Sequence, residues 1–281
     1  VAEIPNVRLN LSNRAENVLL VRQALSGLSE TIKLGPVELN DVSTAVSEAC
    51  NNVVMHAYGG EEGPLDVEVY ATGDELEVIV RDYGRGIQPR AEHPEQIVGG
   101  IGLPVIRALS SSVDFIDVDG GGTEVRMHFT TTGTRALERP ADGAGVAAPA
   151  ANPREIRDGT TSLTVGPARL ARTVVPRVLS ALAARAYFST DRISDTQMLA
   201  DALVAHSADS IDGERMSVVI TAAPREMRLR IGPLREGCAE SVLEEASLDG
   251  LGSLLERLAN GHEVYHEGTA EVLDLHLAER G

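Results

Sequence analysis

The 281-residue chain has no tryptophan, and aromatic residues make up only 3% of it. Any core must therefore be built from Val, Leu, Ile and Ala. Lysine is nearly missing too, Lys33 being the only one, and no GxxxxGK[ST] occurs, which excludes a P-loop. Neither glycine cluster completes GxGxxG, because Pro89 follows the first and Val105 the second, so a Rossmann fingerprint is absent. No apolar stretch approaches the ~18 residues of a membrane span. Residues Val1 to Asn10 lack the basic-then-apolar layout of a secretory signal. Cys50 and Cys238 lie far apart without metal-type spacing, as expected of two buried thiols in a reducing cytoplasm. Basic side chains are outnumbered throughout. The net charge is −17, of which −11 falls before residue 132 and −6 after it, so neither half has the footprint of a nucleic-acid binder. An acidic surface suits a basic patch on a protein partner and also serves solubility.

What is present is an ordinary globular balance, 43% hydrophobic and 24% charged, over a length natural for two domains. Val7 to Leu11 alternates as a short strand. Asn17 to Leu28 has helical spacing, with Leu20, Ala24, Leu25 and Leu28 on one face. Pro36 and Asn40 punctuate, and a strong helix is predicted from Asp41 to about Ala57. Leu65 to Ala71 and Leu76 to Arg81 alternate as strands around a Thr72-Gly73-Asp74 turn. A helix over Leu103 to Ser110 comes next, then strands over Val113 to Val118 and Thr123 to Phe129. The pattern is α+β, with helices on one face of a mostly antiparallel sheet.

Periodicity is then lost. The first domain is predicted over 1–131, a flexible Pro/Gly/Ala-rich linker over 132–158, and a second domain over 159–281. A flexible segment of ~25 residues spans about 25–30 Å, enough for two small domains to lie side by side. The second half echoes the first. A shift of 154 pairs Leu9 with Leu163, Leu25 with Leu179, Leu28 with Leu182 and Asp41 with Asp195. A shift of 151 lays LDVEVYATGDELEVIV on MSVVITAAPREMRLRI, and one of 150 lays GIGLPVIRAL on GLGSLLERLA. Order and spacing persist where identity does not, the mark of a tandem duplication.

Four features of the first half concern chemistry. Glu48 and Asn52 stand one helical turn apart, beside the core stripe of Val42, Val46, Ala49, Cys50 and Val53. Asp82-Tyr83-Gly84-Arg85-Gly86 comes directly after a strand; an ionised Asp there is a pure acceptor, and the glycines admit close backbone approach. Gly99-Gly100-Ile101-Gly102-Leu103 opens a helix, where free N–H groups suit phosphate oxygens. Gly121-Gly122-Thr123 enters the last strand. Each alone is a weak signal, more often a turn or a solvated flank than a site.

As an ordered set, ExxxN, DxGxG, GxG and GGT resemble the GHKL ATPase superfamily, and AVSEACNNVVMHAY is similar to the corresponding box of the anti-sigma-factor serine kinases. The resemblance covers residues 7 to about 130. It implies a Bergerat-type sandwich binding ATP with Mg²⁺ in the cytoplasm. It implies Glu48 as the catalytic residue that orients or deprotonates a substrate hydroxyl, and Asn52 as an oxygen ligand of Mg²⁺. Asp82 would read adenine, with Gly84 and Gly86 beneath the base. Gly100, Ile101, Gly102 and Leu103 would form the phosphate-facing turn, and Thr123 would stand near the adenine. Arg22 falls where the family contacts partner proteins, though an exposed surface arginine fits equally. His56, close to the core face, reads as structural. The implied partners are a sigma factor and an anti-anti-sigma (STAS-type) protein, its substrate.

The chain departs from the family pattern in two ways. Only 13 residues separate Gly86 from Gly100, a short lid with a single arginine, Arg90. This leaves a nucleotide-switched binding module without kinase activity as the alternative. A histidine-kinase fragment is weaker, since no helix with a phosphoacceptor histidine precedes the domain. In the second half Glu48 aligns with Ala202, Asn52 with His206, Asp82 with Pro233 and Gly84 with Arg235, while Gly237, Gly250 and Gly252 keep their counterparts. A degenerate copy without ATP-site residues is expected, either pairing with the first domain as an intramolecular pseudo-dimer or leaving the chain to homodimerise.

Overall fold

The computed structural model describes residues 4–85, 102–118, 120–132, 134, 137, 159–207, 210–245, 247, 248 and 252–279. The first half runs β1 (Val7–Ser12), α1 (Asn17–Ile32), α2 (Pro36–Asn52), a π-helical turn (Val53–Ala57), β2 (Pro64–Thr72), β3 (Glu75–Asp82), α3 (Gly102–Leu109), β4 (Ser112–Asp117) and β5 (Thr123–Thr130). The second half runs β6 (Thr160–Val165), α4 (Ala171–Arg185), α5 (Thr190–Ser207), β7 (Met216–Ala223), β8 (Glu226–Arg235), α6 (Cys238–Glu245), the short β9 (Ser247–Leu248) and β10 (Gly252–Ser253), α7 (Leu254–Leu258), β11 (Gly261–Glu267) and β12 (Ala270–Ala278).

Ten strands form one sheet in the order β11-β12-β8-β7-β6-β1-β2-β3-β5-β4. Every neighbouring pair is antiparallel. Outward from the centre, the second half repeats the strand order of the first. The halves meet where β1 pairs with β6, Val7 opposite Val165 and Leu9 opposite Leu163.

Alternation decides the faces. Leu65, Val67 and Val69 of β2, Val78 and Val80 of β3, and Val125 and Met127 of β5 share one core cluster with Leu20, Leu28, Val46 and Cys50 of the helices. The intervening positions carry ion pairs: Arg8 to Glu68 at 2.9 Å, Arg81 to Glu124 at 2.6 Å, Arg126 to Glu124 at 2.8 Å. The chain is thus α+β, an antiparallel sheet with helices against its apolar face.

Helix α1 is buried on more than its predicted face, because α4 packs on it as well. Thr31 and Thr173 hydroxyls meet at 2.8 Å, Arg177 reaches Glu30 at 2.6 Å, and Arg185 reaches Asn17 Oδ1 at 2.5 Å. Gly27 lies in this contact: a Cβ there would stand 2.7 Å from Val174 Cα. Helix α2 begins at Pro36, five residues before the predicted start. Proline occupies the first helical position, where its missing N–H costs nothing, and Glu38 Oε2 accepts the Gly35 N–H at 2.9 Å. Most of the predicted linker lies outside the described residues. Of those described, Thr132 donates its N–H to Glu38 at 3.1 Å and Leu137 is buried, so the segment begins docked on the first half. Among the described residues no helix is long and apolar enough to cross a membrane.

Candidate functional site

Glu48 and Asn52 stand half-buried on the flank of α2, and α3 begins against them. A Cβ on Gly102 would lie 3.0 Å from Glu48 Oε2 and 3.4 Å from Asn52 Oδ1. Glycine at this position lets a carboxylate, an amide oxygen and a helix N-terminus share one small space. The first N–H groups of a helix lack intrahelical acceptors and carry partial positive charge, so they favour anions.

Beyond Asn52 the helix widens into its π turn, a local irregularity common at functional sites. The turn shifts the helical register from Val53 onward and leaves His56 exposed, where regular helical spacing places it near the core. The same turn anchors the loop after β3. Ala57 O accepts the Arg85 N–H at 3.0 Å, and a Cβ on Gly84 would stand 2.7 Å from the Ala57 carbonyl carbon. Only glycine admits this approach.

Asp82, the last residue of β3, is 5% exposed and lies on the helix side of the sheet. Burial pushes its pKa up; the backbone N–H groups of Gly84 and Thr123 pull the other way without offsetting it. The Gly84 N–H lies 2.8 Å from Oδ1. Gly122, at a φ of 110°, lays the turn before β5 on the Asp82–Tyr83 backbone, where a Cβ would stand 2.7 Å from Tyr83 Cα. Thr123 is buried beside Asp82.

The structure therefore groups the expected residues in two clusters joined by α2: Glu48 and Asn52 of α2 with Gly102 at the start of α3, and Asp82, Gly84 and Thr123 near the end of the π turn that follows α2. Leu103 is exposed one residue beyond Gly102. Arg22 is exposed on α1 and donates to Ser47 Oγ at 3.2 Å, beside Glu48 but outside both clusters. Gly86, Gly100 and Ile101 lie outside the described residues. Sequence reasoning missed Tyr58, whose hydroxyl takes the Tyr83 N–H at 2.9 Å. Its signal was its place as the last residue of AVSEACNNVVMHAY.

The matching positions of the second half are chemically different. Ala202 and the buried Pro233 stand where Glu48 and Asp82 do, and neither offers a carboxylate. Separately, the N-terminus of α6, which follows Gly237, the counterpart of Gly86, is occupied by the chain itself. Glu271 of β12, 6% exposed, accepts the Gly237 and Ala239 N–H groups, each at 2.9 Å. Burial would raise its pKa, but these N–H groups hold it below the usual carboxylate value.

Comparison with known proteins bears on the family. Residues 11–129 match the histidine kinase-like ATPase domain. The serine-protein kinase RsbW of Bacillus licheniformis is 32% identical over 131 residues, which is 41% of this chain and 80% of that protein. Its namesake in Bacillus pumilus is 30% identical over 138 residues, 44% of this chain and 85% of that protein. The chain belongs to the anti-sigma-factor serine kinase family. The anti-sigma F factor of Thermoanaerobacter pseudethanolicus, 26% identical over 129 residues, covers 43% of the chain and 90% of its own length. The histidine kinase domain of the E. coli osmosensor EnvZ superposes with a TM-score of only 0.28 at 20% identity, covering 50% of this chain and 99% of that domain. Membership in the anti-sigma-factor serine kinase family thus rests on the sequence relatives and the domain match.

Proposed function

We propose that the first half binds ATP with Mg²⁺ between α2, α3 and the ends of β3 and β5, and that the chain is an anti-sigma regulator. In this reading it holds a sigma factor and transfers phosphate to a serine of an anti-anti-sigma (STAS-type) protein. The observation that carries the proposal is the meeting of Glu48, Asn52 and the Gly102 end of α3, with buried Asp82 anchored to the same helix. The donor chemistry fits the implied ligands. Asn52 Oδ1 is a neutral oxygen of the kind Mg²⁺ accepts. Asp82 is an acceptor suited to the amino group of adenine, and Gly102 keeps the space beside Glu48 and Asn52 free of a further side chain, while Gly84 lets the loop after β3 close on the Ala57 carbonyl.

Each residue then has one task. Asp82 selects the base, and Thr123 holds the Asp82 carboxylate through its backbone N–H. The α3 N-terminus faces the phosphates. Mg²⁺, when bound, supplies charge neutralisation at those phosphates. Glu48 aligns the incoming serine hydroxyl and accepts its proton. Gly86, Gly100 and Ile101 keep their proposed places in the base and phosphate turns, Leu103 adjoins Gly102 there, and Arg22 remains the proposed partner contact. The cytoplasm is the matching compartment.

The second half, in this reading, occupies the dimer face of the first. The β1–β6 pairing and the α1–α4 contact support it, as does the loss of Glu48 and Asp82 equivalents. Light scattering on the intact chain should then give a monomer; a dimer joined through two first halves would reject the internal pairing. A second reading, a nucleotide-switched binding module without transfer, is favoured by the 13-residue lid. Incubation with labelled ATP and candidate anti-anti-sigma proteins separates the two. The nucleotide site itself is tested by isothermal titration with ATP·Mg²⁺, wild type against Asp82→Asn; no heat of binding to the wild type would end the proposal.

A further inference from the structure

The antiparallel ladder between β2 and β3 has Leu65 opposite Asp82 as its last rung. The next would set Tyr83 opposite Pro64, yet the two backbones do not bond directly there. The hydroxyl of Tyr58 stands between them. It accepts the Tyr83 N–H at 2.9 Å and donates to Pro64 O at 2.5 Å, extending the ladder by one bridged rung. Both capacities of the hydroxyl are used, and in a fixed direction, since a backbone N–H can only donate and a carbonyl can only accept.

The ring is held as firmly as its tip. A Cβ on Gly63 would stand 2.5 Å from Tyr58 Cζ, so the phenol lies flat on a residue that must lack a side chain. Burial pushes the phenol's pKa up, which keeps the donating proton in place. Tyr58 comes directly after the π turn and is therefore rigidly linked to the helix bearing Glu48 and Asn52. On the opposite side of the sheet the Tyr83 hydroxyl donates to Asp66 Oδ2 at 2.8 Å, and Asp66 Oδ1 accepts from Asn10 at 2.8 Å. The residue after Asp82 is thus gripped by its backbone on one side and by its side chain on the other.

We propose that Tyr58 is a positioning residue of the nucleotide site: its hydroxyl, inserted between Tyr83 N–H and Pro64 C=O, fixes the aim of Asp82 and so sets the preference for adenine over guanine. This rests on the nucleotide-binding reading above. Without the hydroxyl, the Tyr83 N–H and the Pro64 carbonyl lose their common partner, and the backbone that carries Asp82 is held on one side only at Tyr83. Phosphate and metal contacts, which depend on Gly102 and Asn52, stay as they are.

The test is competitive binding of ATP and GTP to the intact chain, wild type against Tyr58→Phe, with thermal unfolding tracked alongside. The Tyr58→Phe protein should bind ATP about tenfold more weakly and GTP unchanged, so the ATP/GTP ratio falls by about the same factor. A purely structural role would weaken both nucleotides equally. Gly63→Ala provides a second route should Tyr58→Phe fail to fold: it keeps the hydroxyl but displaces the ring, and should lower the same ratio. A folded Tyr58→Phe, or failing that Gly63→Ala, with the wild-type ATP/GTP ratio overturns the role of Tyr58 and leaves ATP binding intact. A wild type that binds neither nucleotide overturns both.

Discussion

Replacing Gly27 by alanine sets two effects of opposite sign against each other. Glycine in a helix interior is less favourable than alanine by about 0.8–1.0 kcal/mol. Taken alone, then, Gly27→Ala should stabilise α1 by that amount. The added methyl, however, would stand 2.7 Å from Val174 Cα, against the backbone of α4. A backbone neighbour cannot swing aside as a side chain can. Relief needs α1 and α4 to separate, which loosens the Thr31–Thr173 and Glu30–Arg177 contacts as well. Overpacking of this kind costs about 1–3 kcal/mol. The balance is net destabilisation of about 0–2 kcal/mol for alanine, and more for leucine, which adds three further carbons. At about 2–4 °C per kcal/mol for a chain of this size, Gly27→Ala should melt up to about 8 °C below wild type. Gly27→Leu should melt lower still and scatter light as a more expanded particle. Calorimetry with light scattering reads both. A Gly27→Ala protein that melts higher than wild type, as helix propensity alone requires, would refute the close packing of the two helices.

The remaining predictions concern the site and its surroundings. Glu48→Ala should lower phosphoryl transfer by ~10²–10⁴ while ATP still binds, as read from labelled phosphate on the substrate and from titration calorimetry; undiminished transfer would reject Glu48 as the base. Asp82→Asn should weaken ATP binding by about tenfold or more, since one acceptor becomes a donor, and calorimetry measures it directly. Asp66 is buried and its pKa is raised, burial outweighing its bonds to Asn10 and Tyr83. Its native form holds a proton more readily than its unfolded form, so its contribution to stability falls as pH rises from ~3.9 through the native value. Denaturation of wild type and Asp66→Asn across that window should show the variant gaining on wild type as pH rises; a constant gap would contradict the raised value.

The strands are the most legible part of the chain, because LDVEVYATGDELEVIV alternates cleanly and the sheet has one dry face and one charged face. The start of α2 is easily misjudged because proline carries two meanings, a break inside a helix and a fitting first residue at its start. The π turn leaves no trace in Val53–Ala57, whose contacts with Gly84 and Arg85 are made far along the chain, so regular spacing assigns His56 to the wrong face. Glu48, Asn52, Asp82 and Gly102 can be picked out because their order along the chain is distinctive even where each motif is weak. Tyr58 closes the AVSEACNNVVMHAY stretch, but its part, a bond to a backbone N–H twenty-five residues later, is not announced by any spacing along the chain. The carboxylate of Glu271 at the start of α6 is equally invisible, being a long-range contact made by an ordinary strand residue.

Pairing β1 with β6 also governs how one molecule meets another. Among the described residues, fusing two five-strand halves at their inner borders leaves open rims only at β4 and β11. End-to-end stacking of molecules would have to bring these rims together. Both rims carry acidic residues, Asp114 and Asp117 on β4 and Glu263 and Glu267 on β11, and like charges on both approaching borders oppose the growth of such a filament.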